Sequence, residues 1–148
     1  MPNVPPRLDV IFRSYDPPLY FVTFNTHRRR RLLANAKVHR RFVQFCRAGE
    51  QHEIAVGRFV IMPDHIHLFV CDNSPDHTLS QWVRMLKRHL SGAISNMSPH
   101  WQKGFFDHLI RHEESHNEKW SYVYQNPVRA GLVGEPDNWP WQGEIARL

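Results

Sequence analysis

The sequence predicts an α+β domain: a ferredoxin-like (RRM-like) antiparallel sheet with helices on one face and a C-terminal tyrosine-bearing helix. Three observations predict it. Strand-like and helix-like stretches follow one another as strand, helix, strand, strand, helix, strand, helix. Two of the strands are separated only by Pro63-Asp64, a turn signal that marks a hairpin. A hairpin with segregated helices favours an antiparallel sheet over the continuous crossovers of a parallel one. The 148 residues, 41% of them hydrophobic, suit one domain spanning 1–148 with a real core.

Residues 1–17 are rich in proline and predict an irregular N-terminal arm. Leu19 to Thr26 is β-branched and aromatic, bounded by prolines and by charge, which predicts the first strand. Val38, Phe42, Phe45 and Cys46 recur at helical spacing, so a helix is expected from about Ala34 to Glu50. Glu53 to Met62 and His65 to Asp72 form the expected hairpin. Thr78 is placed to cap a helix from Leu79 to about Met97, with Leu79, Trp82, Val83, Leu86 and Leu90 inward. Phe105 to Ile110 predicts a fourth strand, and Ser115 to Gln125 a last helix disrupted near Asn126-Pro127. No element is predicted for the tail, 134–148, despite Trp139, Pro140 and Trp141.

Net charge is +5 before any of the 11 histidines titrate, which favours an anionic partner such as nucleic acid. Cys46 and Cys71 form neither a CxxC pair nor a disulfide framework. No signal peptide or membrane-spanning run is evident, so a soluble cytoplasmic protein with no membrane partner is expected.

Four constellations could carry chemistry. In His65-Ile66-His67, strand alternation projects both imidazoles to one side, a spacing that can chelate one ion. With 11 histidines an HxH triplet arises by chance roughly once, so the pattern alone is weak. His112-Glu113-Glu114-Ser115-His116 matches HExxH, the pattern of zinc hydrolases. Its surroundings, Arg111 to Lys119, are almost unbroken polar sequence, whereas a zinc-ligating helix should bury an apolar face. If the last helix extends to Asn126, Tyr122 and Asn126 lie one turn apart on one face. The plain alternative is a core tyrosine followed by an Asn-Pro helix stop. Finally, Arg28, Arg29, Arg30 and Arg31, then Arg84, Lys87 and Arg88, then Arg129 could track a phosphate backbone, or simply form solvated faces.

Taken together, these segments resemble the single-tyrosine HUH transposases of insertion sequences, and most closely their domesticated relatives, the REP-associated tyrosine transposases. Met62 to Val70 resembles the HUH signature, and Tyr122 to Val133 the tyrosine-helix signature. Tyr20 to Phe24 and Trp101 to His108 add to the likeness, which runs in order from about Pro18 to Gln142. Two signatures at the expected separation are far more specific than either alone.

The resemblance implies that His65 and His67 are metal ligands, Asn126 a third ligand and Tyr122 the nucleophile. It implies a divalent cofactor, Mg2+ or Mn2+, with imidazoles intrinsically favouring manganese. The implied substrate is single-stranded or hairpin DNA, cleaved and rejoined through a 5′-phosphotyrosine intermediate. The tail resembles the REP-associated branch, which implies a monomer rather than a homodimer. Asp64 stands where the pattern more usually has asparagine, and its side chain is expected to point to the other face with little effect. A non-catalytic nucleic-acid-binding module of the same fold and an HExxH zinc hydrolase are the competing readings.

Overall fold

The computed structural model describes residues 18–148, so the arm expected over 1–17 lies outside the described residues. The elements are β1 (Leu19–Asn25), α1 (Ala36–Gly49), β2 (Ile54–Ile61), β3 (His65–Asp72), α2 (Leu79–Ser91), β4 (Phe106–Ile110), α3 (Glu113–Tyr124), α4 (Asn126–Arg129) and β5 (Gln142–Glu144). The strands form one sheet in the order β4-β1-β3-β2-β5, with every pairing antiparallel. The first four strands have the ferredoxin-like order that the sequence predicts.

One face of the sheet packs on α1 and α2. Val22 and Phe24 of β1, Ile61 of β2 and Ile66, Leu68 and Val70 of β3 meet Val38, Phe42 and Cys46 of α1. Trp82, Val83, Leu86 and Leu90 of α2 complete this core. Their spacing of three and four residues is what a helix needs to bury one stripe. Asn35 caps α1 by accepting from Val38 N, and Thr78 with Gln81 forms a reciprocal capping box on α2.

Most boundaries fall within two residues of the sequence reading, and three features depart from it further. Helix α2 stops at Ser91, six residues short of the expected Met97. Past it, bonds such as Ala93 N to Leu90 O tighten the chain. Arg41 of α1 donates to the His89 carbonyl at 3.1 Å and crowds the space that any side chain at Gly92 would need. The expected break at Asn126-Pro127 separates two helices rather than ending one, because proline is well tolerated in the first turn of α4. The tail is ordered. Ile61 N donates to Trp141 O at 2.8 Å, and the buried Trp139 donates through Nε1 to Ile61 O at 3.0 Å. These bonds add β5 to the free edge of β2.

The second face is covered by α3 and the tail. Leu19, Phe69, Cys71 and Ile110 pack with Ala146 and Leu148, while Val60 and Met62 pack with Val123 and Trp139. Burying a side chain such as Val123 contributes about 1.5–3 kcal/mol. Among the described residues no helix is long and apolar enough to cross a membrane.

Candidate active site

Strand alternation in β3 sends Ile66 and Leu68 into the helical core and leaves His65 and His67 on the second face. The two rings lie edge to face, 4.7 Å between centroids. The register of β1 against β3 sets Thr23 opposite His67 and Asn25 opposite His65. Thr23 Oγ1 lies 2.7 Å from His67 Nδ1, and Asp64 Oδ1 lies 2.7 Å from His65 Nδ1. A carboxylate can only accept here, so it holds the His65 proton on Nδ1. With Nδ1 of each ring engaged, Nε2 is the nitrogen left for a ligand. Such outer contacts orient metal-binding histidines.

Asp64 therefore departs from expectation. Its side chain does not turn away from the pair but grips it. The residue lies in the turn before β3, where the alternation of a strand does not apply. Arg29 Nε donates to Asp64 Oδ2 at 3.0 Å, and Arg29 Nη2 lies 3.3 Å from His65 Nδ1. Burial alone would raise the Asp64 pKa, but hydrogen bonds from His65 and Arg29 and their charges outweigh it and hold the carboxyl below its ordinary value. Arg28 and Arg29 both take left-handed backbone angles, φ 56° and 55°, which is unusual for non-glycine residues. Thr26 braces this turn, donating from Oγ1 to Arg30 O at 2.7 Å and from its backbone N to Asp64 O at 2.9 Å. An Asp64→Ala protein is expected to bind Mn2+ about 10- to 100-fold more weakly while keeping its fold, as titration calorimetry and circular dichroism would read.

Both imidazoles are poised to be neutral. Burial pushes the His65 pKa down despite Asp64. Burial, aided by the positive field of His65, Lys119, Arg129 and Arg29, pushes His67 down to about 3. A neutral ring is the form that binds a metal.

Helix α3 lies on this same face. His116 packs against Phe69, 4.5 Å between ring centroids, and Trp120 stands over Phe69 at 6.4 Å. Lys119 Nζ lies 5.3 Å from the Phe21 ring centroid. Phe21 in turn stacks on His67, 5.3 Å between centroids and 18° between planes. Tyr122 is 64% exposed and borders a cleft of about 350 Å³ with His108, Ile110, Ser115, Glu118 and Lys119. Tyr124 faces away, packing on Trp120 at 5.4 Å.

Beyond Tyr122 the chain turns through Gln125 into α4. Arg129 folds back so that its guanidinium lies 3.8 Å from the Tyr122 ring centroid. Its Nη2 donates to Tyr122 O at 2.7 Å and also to Asn126 Oδ1. The Asn126 oxygen thus has Arg129 as its partner, and would have to exchange it to meet an ion. Among the described residues no three His, Cys, Asp or Glu side chains are grouped to hold a metal. A third protein donor would therefore have to be of another type, and the Asn126 amide is one.

The basic residues divide into two kinds. Arg28, Arg31, Arg84 and Arg88 are exposed. Arg84 and Arg88 line a groove of about 470 Å³ between α2 and the strap before β4, with Lys103, Trp101 and Phe105 opposite. Four others have internal partners. Arg29 holds Asp64, and Arg129 holds Asn126. Arg30 donates to the carbonyls of Met97 and Pro99 at 2.9 and 3.3 Å. Lys87 donates to Gln102 O at 3.0 Å and Gly104 O at 2.5 Å, and burial pulls its pKa down. These two tie down the strap.

The HExxH string does not present a site. His116 is 6% exposed with its ring on Phe69, and burial, then the charge of Arg58, lowers its pKa to about 4. Glu113 and Glu114 are exposed in the first turn of α3, and His112 precedes it. Thr23 and Lys119 escaped the sequence reading. Thr23 needed the β1–β3 register, whereas Lys119 carried one faint signal, a spacing of three residues before Tyr122.

Residues 18–121 match a protein family described as IS200-like transposase. The match stops one residue before Tyr122. A REP-associated tyrosine transposase of Escherichia coli K12 is 25% identical over 123 residues, covering 82% of this chain and 73% of that protein. Among solved structures, a REP-associated tyrosine transposase bound to a REP hairpin superposes with a TM-score of 0.72 at 24% identity, over 88% of this chain and 79% of that one. A candidate transposase from Deinococcus radiodurans R1 gives a TM-score of 0.52 at 19% identity, over 75% and 92% of the two chains.

Proposed function

This chain belongs to the IS200-like transposase family, and from that premise we propose that it cuts and rejoins single-stranded, hairpin-forming DNA through Tyr122. The observation that carries the reading is that α3 packs on the same sheet face as His65 and His67, with Lys119 and Phe21 linking the two. The E. coli relative named as a tyrosine transposase, and the similar fold solved with a REP hairpin, support the substrate class.

The side chains fit a divalent ion. Two neutral imidazoles offer Nε2, and Asn126 offers an amide oxygen once Arg129 releases it. A bound Mg2+ or Mn2+ would polarise a non-bridging phosphate oxygen and orient the scissile bond. Tyr122 Oη then attacks phosphorus. The P–Oη bond forms as the P–O3′ bond breaks, the phenol loses its proton, and the leaving O3′ gains one. A 5′-phosphotyrosine and a free 3′-hydroxyl result. Because the bond is exchanged rather than hydrolysed, a 3′-hydroxyl can reverse the step and rejoin the strand.

The groove of Arg84, Arg88 and Lys103 has the charge to follow a DNA backbone, and Trp101 and Phe105 beside it have faces on which bases can stack. One chain supplies both the histidines and the tyrosine helix, which supports a monomeric active site.

Incubation with labelled hairpin DNA and Mn2+ tests the proposal. An adduct should survive a denaturing gel, and peptide mapping should place the nucleotide on Tyr122. An adduct on any other residue would sink the assignment, and its complete absence would favour the non-catalytic DNA-binding module.

A further inference from the structure

We propose that Lys119 is a catalytic residue of this site, an ammonium that contacts the scissile phosphate between Tyr122 and the histidine pair and stabilises the charge that builds up during transfer. The role rests on the transesterification reading above and deepens it.

Lys119 is shared by the two halves of the site. It lies one helical turn before Tyr122 on α3, and both residues line the same 350 Å³ cleft. Its Nζ stands 5.3 Å from the Phe21 ring centroid, and that ring is stacked on His67 at 5.3 Å. A phosphate reached by Tyr122 and held near His67 must therefore pass close to this ammonium. Glu118 borders the cleft as well, yet among the described residues no carboxylate pairs with Lys119. The cation is held on an aromatic face rather than neutralised. It keeps its charge for a ligand, in a position that needs little reorganisation.

The chemistry calls for such a group. A phosphodiester carries one negative charge. As the P–Oη bond forms and the P–O3′ bond weakens, a second builds on the phosphoryl and bridging oxygens before O3′ takes its proton. An ammonium fixed beside the phosphoryl group is attracted more strongly to that transition state than to the bound substrate. Groups of this kind raise the rate at saturation rather than the affinity.

The test compares Lys119→Met, which keeps an apolar stem on Phe21, with Lys119→Arg, which keeps the charge. Single-turnover adduct formation is measured with Mn2+ and saturating hairpin DNA, and DNA affinity separately in EDTA. Lys119→Met is expected to lose about 100-fold in rate, with affinity changed less than about threefold and the thermal midpoint kept. Lys119→Arg should recover most of the rate. A Lys119→Met rate within about threefold of the wild type would overturn the role. So would a loss confined to affinity, or a rate loss that Lys119→Arg fails to restore and a fallen thermal midpoint accompanies. If the wild-type chain forms no Tyr122 adduct, the parent reading falls and takes this role with it. A normal wild-type adduct with an active Lys119→Met protein sinks the lysine alone.

Discussion

A Tyr122→Phe protein is expected to form no covalent DNA adduct and to cut hairpin DNA at less than about one ten-thousandth of the wild-type rate. Losing the phenolic oxygen removes the atom that bonds to phosphorus. The fold should not suffer. The Tyr122 ring is 64% exposed, and its packing partner, the Arg129 guanidinium, lies over the face that phenylalanine also presents. Thermal midpoint and hairpin affinity should therefore match the wild type. Tyr124→Phe is the control. That ring packs on Trp120, away from the cleft, and its variant should cut normally. Comparable adduct yields from the Tyr122→Phe and wild-type proteins would refute the nucleophile.

His67→Ala is expected to lose Mn2+ binding by a factor of about 100 or more, and cleavage by about 1,000-fold. His67 is the better of the two histidines to remove, because its contacts are few and local. It stacks on Phe21 and touches Thr23 Oγ1, and burial already keeps it neutral in the folded chain. Among the described residues no ion pair is lost with it. His65→Ala would also take one hydrogen-bond partner from Asp64, the carboxylate that Arg29 holds, so its effect would mix ligand loss with disturbance of the turn. Calorimetry with Mn2+ in the absence of DNA separates metal binding from turnover. A His67→Ala protein that binds Mn2+ as tightly as the wild type would rule out the imidazole pair as the metal site.

The internal partners of Arg30 and Lys87 explain why counting basic residues misjudges a DNA surface. Both carry the charge that a phosphate wants, and in sequence they look no different from Arg31 or Arg88. In the fold their donors meet carbonyls of the strap between α2 and β4. Removing them would loosen that strap rather than delete a phosphate contact, whereas Arg84 and Arg88 remain exposed on the groove. The Asp64 error has a similar origin. Alternation predicts side-chain direction within a strand, but Asp64 sits where the hairpin turns, and a turn can direct a carboxylate back onto the residue that follows it.

By itself the sequence determined the order of the main strands and helices, the cap at Thr78, and the pairing of His65 with His67. All of these depend on neighbours within a few residues, because backbone periodicity and capping are local. It also singled out Tyr122 through its likeness to a known signature. Only the tertiary structure decided that α3 covers the face bearing the histidines, that Thr23 and Asp64 orient those rings, that Arg129 holds Asn126, and that the tail becomes a fifth strand. Those facts join residues far apart in the chain, and nothing in local spacing encodes them. They follow from burying apolar area such as Val123, Trp120 and Trp139 against a sheet whose register is set across its whole width.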